Sequence, residues 1–135
     1  MGILDKYAEV LGRLEPIKYT GKVEKVQGLL VESSGPHAVV GELCQILLRD
    51  PVRTVWAEVV GLRGKTVQLM PYRDIHGIEV GCTVIALGEP LSVPVSAKLL
   101  GRVLDSMGRP LDGRGDVGSA EWYPIFATPP HVLAR

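Results

Sequence analysis

Gly64-Lys65-Thr66 is the first stretch of this chain that invites a chemical reading. It has the ending of a phosphate-binding loop, in which a glycine-rich turn between a strand and a helix cradles phosphates on backbone N–H groups. The full pattern, GxxxxGKS/T, needs a glycine at position 59, and that residue is Val59. The residues that follow, Val67-Gln68-Leu69-Met70-Pro71, alternate as a strand does and offer no helix N-terminus. The triplet is therefore expected to be a hairpin turn, and the chain is expected neither to bind nor to hydrolyse ATP. His37, His76 and His131 lie far apart, with no HxH, HxxxH or Cys/His pairing, so no metal centre is expected. No serine stands in a GxSxG context. Asp105 and Asp112 bracket a glycine turn, where aspartate ordinarily accepts backbone hydrogen bonds, and they are read that way rather than as an acid–base pair. No catalytic, cofactor-binding or metal residue is assigned.

Cys44 and Cys82 sit in apolar, strand-like surroundings, and neither belongs to a CxxC. Two cysteines do not make a disulfide framework, so both read as buried, reduced thiols of a cytoplasmic protein. The aromatic residues Tyr7, Tyr19, Trp56, Tyr72, Trp122, Tyr123 and Phe126 could stack nucleic-acid bases, but they are not interleaved with Lys and Arg. Packing in the core and tail is the expected role. The charge balance agrees: 15 basic and 15 acidic residues cancel, which argues against an electrostatic nucleic-acid binder. At 46% hydrophobic residues the 135-residue chain can build a core. No run is long and apolar enough to span a bilayer, and no basic region followed by an apolar stretch marks a secretory signal.

The elements that carry these residues follow from periodicity. Residues 3–15 place Ile3, Leu4, Tyr7, Val10, Leu11 and Leu14 at spacings of three and four, which predicts a short amphipathic helix stopped by Pro16. The period then changes to two. Segments 20–26, 29–33, 42–48, 54–62, 66–70, 83–87 and 91–96 are rich in Val, Leu, Ile and Thr, and turn residues separate them. Gly21, Gly28 and Gly61 fall inside such runs and suggest bulges or bends. Pro94 suits an edge strand. The fold expected is all-β: a small closed antiparallel barrel of six or seven strands, with a short N-terminal helix and an extended C-terminal linker. The helix covers 1–16 and the barrel 17–97. A short helix and turn cover 98–113. The linker covers 114–135, without regular structure, its Trp122, Tyr123, Ile125 and Phe126 able to pack back on the barrel.

Five phrases occur in an order that resembles one family. Gly28-Leu29-Leu30-Val31-Glu32-Ser33-Ser34-Gly35-Pro36 looks like its first hairpin, and Val40-Gly41-Glu42-Leu43-Cys44 like the next strand. Ala57-Glu58-Val59-Val60-Gly61-Leu62 with Leu69-Met70-Pro71-Tyr72 looks like a later strand pair. Leu99-Leu100-Gly101-Arg102-Val103-Leu104-Asp105-Ser106-Met107-Gly108-Arg109-Pro110-Leu111-Asp112-Gly113 looks like the segment leaving the barrel, and Pro129-Pro130 like the approach to a nucleotide domain, with His131 where the family commonly has Asn. The family is that of the hexameric ATPases related to rotary ATP synthase subunits, and within it the flagellar type III protein-export ATPases.

The resemblance implies a non-catalytic N-terminal assembly and regulatory domain of a homohexamer, with ATP and Mg held by a domain absent from this chain. It marks Gly28, Glu32, Gly35, Pro36, Gly41, Gly101, Arg102, Asp105, Gly108, Pro110, Asp112 and Gly113 as motif residues. By position it also assigns Leu4, Tyr7, Leu11 and Leu14 to a stator-like export regulator. A peripheral contact with the inner membrane at the export apparatus and a cytoplasmic location are implied too. The alternatives are the equivalent domain of an injectisome ATPase or rotary synthase subunit, and a barrel that binds single-stranded RNA.

Overall fold

In the computed structural model, residues 19–50, 53–118 and 121–134 are described. The amphipathic segment 3–15, with Leu4, Tyr7, Leu11 and Leu14, lies outside them. Eight strands form among the described residues: β1 Thr20–Gln27, β2 Leu30–Ser34, β3 Glu42–Leu47, β4 Thr54–Arg63, β5 Thr66–Pro71, β6 Thr83–Pro90, β7 Ser92–Val95 and β8 Glu121–Pro124. The first six close into a barrel in the order β1-β2-β5-β4-β3-β6.

Alternation decides which side chains fill it. In β4 and β5, Val55, Ala57, Val59, Val67 and Leu69 point inward, while Glu58 and Met70 stand opposite each other outside. Val23, Val31, Cys44, Ile46, Cys82 and Val84 complete the interior. Two register shifts, between Val23 and Lys25 in β1 and between Val59 and Gly61 in β4, bend the sheet as closure requires.

One glycine is dictated by close approach. A Cβ on Gly21 would fall 2.3 Å from the carbonyl carbon and oxygen of Gly35, so the end of β2 lies directly against β1 only because that side chain is absent. The Gly35–Pro36 peptide at this crossing is cis.

The chain divides into two compact units, 1–88 and 89–135. The second unit departs from the sequence reading in four ways. β7, read as a last barrel segment, pairs antiparallel with β8, with Val93 opposite Tyr123 and Pro94 opposite Trp122. The stretch from 114 onward, read as lacking regular structure, supplies that partner strand. In place of the short helix read in 98–113 there is a single 3₁₀ turn over Ala97–Leu99. Trp122, Tyr123, Ile125 and Phe126 are exposed rather than packed away.

Candidate functional site

Gly64 and Lys65 form the two-residue loop between Arg63 and Thr66, which pair across β4 and β5. Gly64 has φ of +61° and Lys65 has no positive φ, the pattern of a primed turn with glycine first. Thr66 begins β5, so a strand follows this loop where a phosphate-binding loop leads into a helix.

The hairpin closes one end of the barrel. There, Thr20, Pro36, Ala38, Leu62, Lys65 and Val67 line a cavity of about 520 Å³ together with the Ser34–His37 loop. Gly35 N–H donates to the Lys65 carbonyl at 3.1 Å, and the buried Ser33 hydroxyl donates to the Gly35 carbonyl at 2.6 Å. Pro36 is buried. Gly28 turns β1 into β2, and Glu32 on β2 accepts from Gln68 Nε2 at 3.3 Å. Gly41 N–H donates to the Val59 carbonyl at 2.8 Å and aligns the start of β3 with β4.

Two polar contacts in the barrel, those of Glu42 and of Glu58 with Tyr72, were not legible in the sequence. Buried Glu42 accepts from the N–H groups of Val39 at 2.9 Å and Gly88 at 2.8 Å, stitching the loop before β3 to β6. Glu58 accepts from the Tyr72 hydroxyl at 2.9 Å, and burial first, then that hydrogen bond, raises the Tyr72 phenol above its ordinary range. Burial, with a smaller contribution from Glu42, pushes the Cys44 thiol up to about 12. The sequence shows Glu42 only as part of the phrase Val40-Gly41-Glu42-Leu43-Cys44, without its hydrogen-bond partners.

In the second unit the motif residues come together. Arg102 and Asp112 form a bidentate pair, Nε–Oδ2 at 2.6 Å and Nη2–Oδ1 at 2.9 Å, with both side chains only 11% exposed. Arg102 Nη2 also donates to the Gly115 carbonyl at 2.7 Å. Asp112 accepts from the N–H groups of Val103 and Arg114 as well. The hydrogen bond from Arg102 is the main cause holding the Asp112 carboxyl well below the usual carboxylate range, and the same bond raises the guanidinium.

Between these partners the chain is a small hairpin. Leu104 bridges Pro110, and Leu111 N–H donates to the Val103 carbonyl at 2.8 Å. Asp105 Oδ1 accepts from the N–H groups of Met107 and Arg109, both at 2.8 Å, which fixes the turn containing Gly108. Gly101 and Gly113 flank the pair, both with positive φ. The aspartates are thus structural acceptors, and the arginine partner of Asp112 is the feature that turn chemistry alone did not reveal. The three histidines are not brought together, and no group of three or more His, Cys, Asp or Glu among the described residues could hold a metal.

This arrangement shapes and cross-braces loops. Residues 23–88 match the ATP synthase alpha/beta family, beta-barrel domain. The barrel belongs to that family. The flagellum-specific ATP synthase of Treponema pallidum is 58% identical to this chain over 115 residues, 85% of this chain and 26% of that protein. That of Borreliella burgdorferi is 44% identical over 82% of this chain and 25% of its own length. The type 3 secretion system ATPase of Xanthomonas euvesicatoria is 40% identical over 85% of this chain and 26% of its own. The chain spans about a quarter of the length of these relatives.

Proposed function

We propose that this chain serves as the N-terminal barrel domain of a flagellar protein-export ATPase, whose full-length form couples ATP hydrolysis to type III export of flagellar proteins. The observation that carries this is the 58% identity to a flagellum-specific ATP synthase over 85% of the chain, which extends beyond the barrel. In this role the barrel contributes to subunit assembly. ATP and Mg bind in another domain, and Leu4, Tyr7, Leu11 and Leu14 meet a stator-like regulator. The working place is the cytoplasmic side of the inner membrane at the export apparatus.

A chimera tests the reading. This chain replaces the corresponding N-terminal segment of a flagellum-specific ATP synthase in a strain lacking that enzyme, and motility, flagellar-protein secretion and ATP hydrolysis are measured. Export is expected to return. Leu4→Asp with Leu11→Asp is expected to abolish regulator capture and reduce export while hydrolysis persists. A chimera that hydrolyses ATP normally yet exports nothing overturns the assignment.

A further inference from the structure

The cavity end of the barrel carries an apolar surface that the described residues leave open. Leu62 is 49% exposed at its rim, above buried Val67 and Pro36. The hydrogen bond from Gly41 to Val59 lays Val39 and Val40 beside β4, and both are exposed, as is Val60 at the β4 bulge. One apolar strip therefore runs from the mouth onto the β4 flank, the kind of surface that ordinarily takes a partner.

The chain delivers an occupant to this rim. Thr20, the first residue of β1, lines the cavity, and the Tyr19 ring stands edge-on to His37 with centroids 6.4 Å apart. The chain that precedes Tyr19 is therefore tethered at this mouth. It carries the stripe Ile3, Leu4, Tyr7, Val10, Leu11 and Leu14, separated from Tyr19 by Glu15, Pro16, Ile17 and Lys18. Four residues reach at most roughly 13 Å, so the tether keeps the stripe at high effective concentration beside the strip. A helix over 3–15 would be about 20 Å long, enough to cross the mouth and continue along β4.

We propose that residues 3–15 seat their apolar stripe on the mouth of their own barrel and its β4 flank, so that the stripe is held in cis whenever no partner holds it. Capture by a partner then means displacement from this seat rather than recruitment of a free helix. The seat does not depend on which partner binds, so it stands or falls separately from the regulator assigned above.

The test uses the 135-residue chain alone, with no regulator present. Amide hydrogen exchange over residues 4–14 is expected to be at least tenfold slower than in the isolated peptide 1–18. Leu62→Asp should remove that protection while the amides of Val31 and Leu69 stay protected, which reports an intact barrel. As a second measurement, Lys65→Cys places a thiol at the mouth. Its alkylation should speed up several-fold when Leu4→Asp and Leu11→Asp are added. Peptide-like exchange over 4–14 in the unsubstituted chain overturns the proposal. So does protection that survives Leu62→Asp together with unchanged Lys65→Cys labelling. Protection that grows with protein concentration assigns the seat to a second copy and overturns it as well.

Discussion

At the scale of single residues, the Arg102–Asp112 pair governs the second unit. Asp112 is depressed in the folded state, so its contribution is fully present above the ordinary aspartate pKa of about 3.9 and is lost as pH falls through the folded value. Exchange at the Val103 and Arg114 amides, which both donate to Asp112, should be steady from neutrality to about pH 5 and accelerate below about pH 4 beyond its intrinsic pH dependence. Asp112→Asn should flatten that profile. Arg102→Lys should restore the charge but not the fork, and so leave the hairpin only partly protected.

In the barrel, Glu42→Ala orphans two N–H groups, and chemical denaturation should show a loss of about 1–3 kcal/mol for each. Gly21→Ala drives a methyl into the Gly35 carbonyl and should cost about 1–3 kcal/mol or more, measured the same way.

Elements were legible where one period ruled. The run read at 54–62 is β4 Thr54–Arg63, and the run at 66–70 is β5 Thr66–Pro71, because buried Val, Ala and Leu alternate with half-buried or exposed residues. The Gly64-Lys65 loop was legible from the missing Gly at 59 and the strand after it. β8 was not. Its four residues, Glu121–Pro124, carry no alternation and border prolines, and pairing with β7 comes from contacts far apart in sequence. The Arg102–Asp112 fork was hidden for a related reason: the hairpin between them, not their spacing, brings them together.

The element-level prediction concerns the β4–β5 loop. Gly64→Val forces a β-branched residue to φ near +61° and should destabilise the barrel by about 1–3 kcal/mol in thermal melts. Lys65→Ala at the neighbouring position should change stability by less than about 0.5 kcal/mol.

At the scale of the molecule, the proposed seat of residues 3–15 takes up the exposed Val60 and Leu62 strip, which leaves little apolar flank for a second copy of the chain. A stable protein interface buries roughly 1,200–2,000 Å² in total. The isolated chain is accordingly expected to sediment as a monomer or weak dimer at micromolar concentration, and a stable hexamer by ultracentrifugation would contradict this. Titration with Mg-ATP should show no heat of binding, since the one GK(T) triplet is spent on a hairpin.

Cys44 carries a consequence of another kind. Its sulfur is wholly enclosed by the barrel and its thiol is pushed up to about 12, so in the folded chain almost no thiolate meets an alkylating reagent. Modification must wait for the strands to part. The sulfur is therefore an internal clock: under a reagent excess that outpaces reclosing, the labelling rate equals the barrel's opening rate, and with scarce reagent it reports the equilibrium population of open molecules. With Cys82, the other free thiol, counted apart by peptide mass, this one native atom can time the barrel's breathing without a dye, a tag or a substitution.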